Sequence, residues 1–223
     1  MAEGRLIVFE GIDGSGKSTQ YEALCRSLNE RGKRFRSLVF PQYSEPSSAL
    51  IRMYLAGEFG SRPDSVNAYA ASAFFAVDRY ASYKKDWGEY YESGGLIVTD
   101  RYTTSNAVHQ ASKLERDERD AFFAWLRDFE YVKMGLPEPD LVIYMNISVE
   151  VAAEQRRRRE NATGASADIH ERDNEYLRKC CDAAADAARF YSWRQVDCLE
   201  NGAMRTKEDI GREVENMVSE IID

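Results

Sequence analysis

Residues 11–18 read Gly-Ile-Asp-Gly-Ser-Gly-Lys-Ser, the G-x-x-x-x-G-K-[ST] spacing of a phosphate-binding loop. Glycines at 11, 14 and 16 let backbone amides turn inward, and a helix starting at Lys17 adds the positive end of its dipole. Lys17 is placed to reach the β- and γ-phosphates of a nucleoside triphosphate, and the Ser18 hydroxyl to ligate Mg²⁺. Gly11, Gly14, Ser15, Gly16 and Thr19 complete the cradle. One feature runs against this chemistry. A loop that receives a polyanion should avoid negative charge, yet Asp13 sits inside it and Glu10 just before it.

Two further groups have the right chemistry for phosphoryl transfer. Asp100-Arg101-Tyr102 closes the apolar run Leu96–Asp100. Asp100 is suited to the Mg²⁺ shell or to positioning Lys17, and the planar fork of Arg101 to clamping an anion. Read alone, Asp-Arg-Tyr is an ordinary cap and ion pair. The run Gln155-Arg-Arg-Arg-Arg159 is, by itself, a solvated helix end.

The elements that position these groups follow from periodicity. Apolar runs at 5–10, 34–40, 96–100, 140–146 and 194–199 read as strands. Amphipathic stretches at 17–31, 47–56, 64–92, 103–112, 115–134, 149–159, 170–192 and 207–222 read as helices. Strands apolar throughout and separated by helices predict an α/β fold: one five-stranded parallel sheet between two helical layers, a single domain over 1–223. Ligands in such sheets bind beyond the carboxyl ends of the strands. That rule selects 10–19, 40–44, 100–106 and 145–147, where most of the candidate chemistry falls.

Composition narrows the function. The chain has 223 residues, 43% of them hydrophobic and 30% charged, with a net charge of −8, which disfavours polymeric nucleic acid as a partner. The four cysteines, Cys25, Cys180, Cys181 and Cys198, form no C-x-x-C pair and are read as reduced thiols. Two histidines give no zinc spacing. No apolar run approaches a membrane span or a signal peptide, so a cytoplasmic location without membrane contact is expected.

The segments GIDGSGKST, FPQYS, FFAVDRY, DRYTTSNAVHQAS and GLPEPD, in this order between residue 6 and about residue 200, together resemble the thymidylate kinase family. The resemblance implies a P-loop three-layer sandwich with a mobile lid at about 155–171. It implies transfer of the ATP γ-phosphoryl group to dTMP with Mg²⁺, usually by a homodimer. It assigns Phe75 to stacking on thymine, Arg79 to a thymine carbonyl and Asn106 to the N3 edge of the base. Phe75 and Arg79, four apart, share one helix face; read alone, Phe75 is a core residue. Arg101 matches the arginine that grips the acceptor phosphate. Phe40 ends the second strand as a further candidate for the acceptor, and Pro41 and Tyr43 follow it, where Tyr43 donates to that phosphate or fills space. Ser105, Asp168 and Glu171 match positions around the acceptor. Asp13 matches an aspartate turned toward the acceptor 3′-hydroxyl or a magnesium-bound water.

Departures from the family pattern are equally informative. Gly14 stands where other members carry a loop arginine, so the catalytic charge must come from the lid. Arg156 and Arg159 are selected there by helical spacing. His109 replaces a tyrosine near the sugar C2′, and His170 an aromatic of the lid. Two alternatives stay open: a P-loop kinase acting on a nucleoside hydroxyl or on another monophosphate, with Glu45 as the candidate base for a hydroxyl acceptor, and a non-catalytic nucleotide-binding protein.

Overall fold

The computed structural model describes residues 4–163 and 174–222, with backbone alone at 158–163 and 174. Strands β1 (Arg5–Glu10), β2 (Phe35–Val39), β3 (Leu96–Asp100), β4 (Leu141–Asn146) and β5 (Arg194–Asp197) form one sheet in the order β2-β3-β1-β4-β5. Every pairing in it is parallel. The period-two alternation of β1 divides the core into layers. Ile7 and Phe9 pack with Leu24, Leu28, Val214 and Val218 on one face. Leu6 and Val8 pack with Trp87, Ile97 and Tyr102 on the other. Each such side chain, fully withdrawn from water, stabilises the fold by about 1.5–3 kcal/mol.

The first face is covered by α1 (Lys17–Glu30) and α9 (Lys207–Ile222). Beyond the sheet, α3 (Ala68–Ser82), α5 (Thr104–His109), α6 (Arg119–Arg127) and α8 (Asn174–Tyr191) meet in a cluster rich in alanine. Ala68, Ala107, Ala111, Ala183 and Ala187 let these helices approach closely around Phe122 and Phe123. Register sets the functional edge. Phe9 and Val39 both pair with Asp100, so β1, β2 and β3 end at one level. Backbone bonds from Arg101 N to Phe9 O (3.0 Å) and from Phe40 N to Asp100 O (3.0 Å) carry the alignment one residue further.

Several boundaries differ from the sequence reading. The stretch 64–92 begins as a 3₁₀ turn at Pro63–Ser65 and becomes α3 only at Ala68, where the Asn67 side chain accepts from Ala70 N at 2.8 Å. That N-cap fixes the start. A π-helical turn at Tyr83–Trp87 then leads into α4 (Gly88–Glu92). The stretch 47–56 opens as a 3₁₀ turn before α2 (Ala49–Leu55), and α6 ends in a π turn at Asp128–Lys133. Helix α7 (Val149–Thr163) passes the expected stop at 159, because no helix breaker occurs before Gly164. The last strand stops at Asp197, and a hairpin of β6 (Leu199–Glu200) and β7 (Ala203–Met204) follows. Its turn residues Asn201 (φ 52) and Gly202 (φ 79) are both left-handed, the geometry that Asn-Gly favours between paired strands.

All four cysteines are free thiols. Burial pushes the thiols of Cys180 and Cys198 up to about 12 and that of Cys181 to about 11, so they stay protonated at neutral pH.

Candidate active site

The phosphate loop joins β1 to α1, whose N-cap Gly16 has φ 85. At Gly14 (φ 90) an added Cβ would lie 2.2 Å from the Ala152 carbonyl oxygen of α7. No side chain fits there without displacing α7, so the expected absence of a loop arginine has a packing cause. Lys17 is buried, and its Nζ donates to Asp100 Oδ1 at 2.6 Å. Ser18 Oγ donates to Asp100 Oδ2 at 2.8 Å. Hydroxyl and carboxylate oxygens suit Mg²⁺, which keeps several waters and takes its other ligands from phosphate. No cluster of three His, Cys, Asp or Glu side chains able to hold a metal occurs among the described residues.

Two clefts meet at this loop. The first, of about 320 Å³, is bounded by residues 12–20, by Met145 and Gln155, by Met204 at the end of the hairpin, and by Arg205 and Lys207 beyond it. The second, of about 350 Å³, lies against β2, α3 and α5. Asp13, Lys17 and Ser18 line both. A phosphate held at Lys17 is therefore reachable from either side.

Arg101 dominates the junction on the second side. Its backbone is left-handed (φ 68), a strained conformation for a residue with a side chain, and Thr99 Oγ1 braces its carbonyl at 2.8 Å. Arg101 Nη2 donates to Asp13 Oδ1 at 2.7 Å, and Nη1 lies 3.7 Å from Glu10 Oε1 and 3.1 Å from His109 Nε2. Burial opposes the guanidinium charge, but Asp13 and Glu10 more than offset it and raise its pKa further above the usual arginine range. The group stays cationic at every accessible pH.

The carboxylates flanking the loop thus have partners on the second side. Glu10 is fully buried and accepts from Gly11 N (2.8 Å), Thr104 Oγ1 (2.7 Å) and Ser105 Oγ (2.7 Å). It fastens the base of the loop to the start of α5. Sequence reasoning flagged Glu10 without giving it this task. The signal was a carboxylate ending an otherwise apolar strand.

The far end of the second cleft contains Phe75, Arg79, Asn106 and Gln110. Tyr54 meets the Phe75 ring edge-on at 6.3 Å between centroids. Phe40 is buried against Tyr102, its peptide to Pro41 is cis, and Tyr43 stands exposed at the mouth. Arg79 is almost wholly buried and does not pair with its neighbour Asp78. Asp78 instead accepts from Gln42 N (2.8 Å) and Ser47 Oγ (2.6 Å), holding the turn after β2. The partner of Arg79 is Glu130, which accepts from Nε at 2.7 Å and Nη2 at 2.6 Å. Glu130 and Gln110 were not anticipated from sequence. Gln110 brings a buried Oε1 with no donor among the described residues.

Of the arginine run, Arg156 is buried one turn beyond Ala152, on the α7 face that covers the loop, and Arg157 is exposed. The Arg159 side chain, Asp168, His170, Glu171 and the rest of the expected lid from 164 to 171 lie outside the described residues. Glu45, the alternative base, pairs with Lys85 at 3.0 Å at the surface. Thr206–Asp209 carries a T-K-x-D spacing of the kind that reads guanine in GTPases. Here it caps α9: Thr206 Oγ1 accepts from Asp209 N at 3.1 Å and donates to its carboxylate at 2.6 Å.

Comparisons with known proteins agree with this arrangement. A profile of the family described as thymidylate kinase matches residues 9–210. A thymidylate kinase of Mycobacterium tuberculosis is 33% identical over 185 residues, covering 82% of this chain and 85% of the relative. One from Caenorhabditis elegans is 30% identical over 161 residues, covering 68% and 67%. The solved structure of the Candida albicans thymidylate kinase superposes with a TM-score of 0.72 at 22% identity, covering 98% of this chain and 92% of that one.

Proposed function

The chain belongs to the thymidylate kinase family, and we propose that it transfers the γ-phosphoryl group of ATP to dTMP, giving dTDP and ADP. The observation that carries this reading is the shared wall of Asp13, Lys17 and Ser18 between two clefts, with Arg101 fixed on one side of it. ATP enters the cleft of the phosphate loop, its nucleoside toward Met204 at the end of the hairpin and Arg205 just beyond it. The acceptor enters the second cleft, its phosphate on Arg101 and its base between Phe75, Arg79 and Asn106. No general base is required, because the acceptor phosphate is already an oxyanion near neutral pH. Catalysis then consists of alignment and charge neutralisation.

Ser18 and Asp100 would hold Mg²⁺, which would supply charge neutralisation for the phosphates of the donor. Arg156 lies on the face of α7 that covers the loop, whereas Arg157 is exposed; Arg159, Asp168 and Glu171 are proposed to join Arg156 when the lid closes. Asp13 keeps Arg101 oriented until the acceptor arrives and then serves the 3′-hydroxyl. No helix among the described residues is long and apolar enough to cross a membrane. We read the protein as a cytoplasmic single-domain homodimer, its interface built on the exposed Tyr69, Val77 and Tyr80 of α3 and on Val132. A sedimentation run giving a monomer at micromolar concentration would remove that interface.

The test of function is a coupled assay with ATP, Mg²⁺ and a panel of nucleoside monophosphates. Rapid turnover of dTMP and little of the cytidine, adenosine and guanosine analogues is expected. Equal turnover of dCMP contradicts the base assignment.

A further inference from the structure

We infer that Glu130, which touches no part of the proposed substrate, is a specificity-determining positioning residue: it fixes the donor–acceptor pattern that the acceptor cleft presents to a pyrimidine. Glu130 lies in the π turn Asp128–Lys133, is fully buried, and points inward while Val132 of the same turn is 67% exposed. As a carboxylate it only accepts hydrogen bonds. Three donors converge on it: Arg79 Nε at 2.7 Å, Arg79 Nη2 at 2.6 Å and Asn106 Nδ2 at 3.0 Å.

That convergence sets the orientation of the Asn106 amide, whose oxygen and nitrogen are assigned from the partners they meet. One Nδ2 hydrogen goes to Glu130 and the other to Ser72 O at 3.1 Å. Both hydrogens are used, so Oδ1 is the atom Asn106 offers the cleft. Arg79 has five N–H donors. Two go to Glu130 and one to Tyr102 O at 3.3 Å, leaving two toward the cleft that Arg79 also lines. The wall therefore shows donors beside an acceptor. That edge matches a ring with a carbonyl next to an N–H, as in thymine and uracil. It opposes cytosine, which shows an amino group beside a bare ring nitrogen. Sites that leave buried polar groups unpaired against the wrong ligand discriminate strongly.

This inference rests on the dTMP reading, and its experiment separates the two. Initial rates with dTMP and dCMP are measured for the wild type, Glu130→Gln, and Glu130→Gln with Asn106→Asp. Glu130 Oε1 accepts from Arg79 Nη2 and Asn106 Nδ2 while Oε2 accepts from Arg79 Nε, so a glutamine, with one oxygen, cannot serve all three donors. With that oxygen on Arg79 Nε, the glutamine amide meets Asn106, which turns its Oδ1 to it and its Nδ2 to the cleft, giving up the bond to Ser72 O. That edge suits cytosine. The dTMP-to-dCMP ratio of kcat/KM is expected to fall about tenfold or more, chiefly through the KM for dTMP. In the double variant the introduced glutamine amide donates to the carboxylate that replaces the Asn106 amide. That carboxylate again shows an acceptor to the cleft, and the ratio recovers by at least about half of the loss on a logarithmic scale. A ratio that stays put in Glu130→Gln, or that falls without recovery in the double variant, overturns the inference and leaves Glu130 as packing. If Glu130→Gln does not fold, the wild-type Asn106 side-chain amide decides by NMR. Its hydrogens should exchange slowly and keep contact with Arg79; free exchange with solvent overturns the inference. A wild type that turns over no pyrimidine monophosphate refutes the dTMP reading, while the NMR measurement still judges the orientation.

Discussion

The two clefts flanking Lys17 are built on different principles. In the proposed reading the donor cleft grips phosphate with the backbone amides, helix end and lysine of the loop 11–18, so its recognition is written in eight consecutive residues. The acceptor cleft, in that reading, meets its ligand with side chains held by partners far away in the chain, Arg101 by the partly exposed Asp13 and Arg79 by the buried Glu130. Asp13 and Arg101 are 88 residues apart, and Arg79 and Glu130 are 51 apart. Removing one member of a buried ion pair costs about 3–5 kcal/mol, because the other charge is left without compensation. A backbone cradle tolerates many sequences; an ion-paired wall does not. The first is therefore generic to nucleotide-binding proteins, and in the proposed reading the second carries the identity of the substrate.

Four substitutions probe that contrast. The largest effect is expected from Lys17→Met, which removes the side-chain cation of the loop 11–18 from the transferring phosphoryl group. A loss in kcat of about 10³-fold or more is expected, measured by the coupled assay with both substrates saturating. Asp13→Ala should raise the KM for dTMP about tenfold by releasing Arg101, while ATP-analogue affinity changes less than about twofold. A pure ATP defect would erase the contrast between the clefts. His109→Ala should raise activity on ribosyl relative to deoxyribosyl acceptors by about tenfold, since His109 lines the acceptor cleft beside Arg101. An unchanged ratio removes His109 from the sugar.

The smallest effect concerns the outer wall. Lys113 Nζ donates to Tyr54 OH (3.0 Å) and Val66 O (2.9 Å), and Tyr54 in turn backs Phe75. Burial lowers the Lys113 pKa to about 8, against about 10.4 for an unfolded lysine. Between those values the unfolded chain holds a proton that the folded chain has released, so the lysine's contribution to stability rises with pH across that window and is constant below it. Lys113→Met should remove this rise. Denaturant midpoints compared at the two ends of the window measure it, and parallel profiles for the two proteins contradict it.

What was legible in the sequence follows the same division. The five strands and the loop could be read because apolar runs and G-x-x-x-x-G-K-S depend on neighbouring residues alone. The acceptor side was reached through short segments such as FFAVDRY and DRYTTSNAVHQ, which name Arg79 and Asn106 but not what holds them. Glu130 lies in an amphipathic stretch where nothing local distinguishes it from the exposed carboxylates around it. Its burial is decided by a π turn and by the guanidinium across the helix layer. The hairpin at 199–204 was missed for a different reason: the apolar run through Cys198 masked the break, although Asn201-Gly202 marked the turn.

The division of labour between the clefts is tested most directly by titrating Arg101→Ala, calorimetrically, with dTMP and with a non-hydrolysable ATP analogue. Arg101 lies beside the shared wall but faces the acceptor side. Weakening of dTMP binding by about 100-fold, with the ATP analogue within about twofold of wild type, is predicted. Equal weakening of both ligands would show that the two clefts are one site.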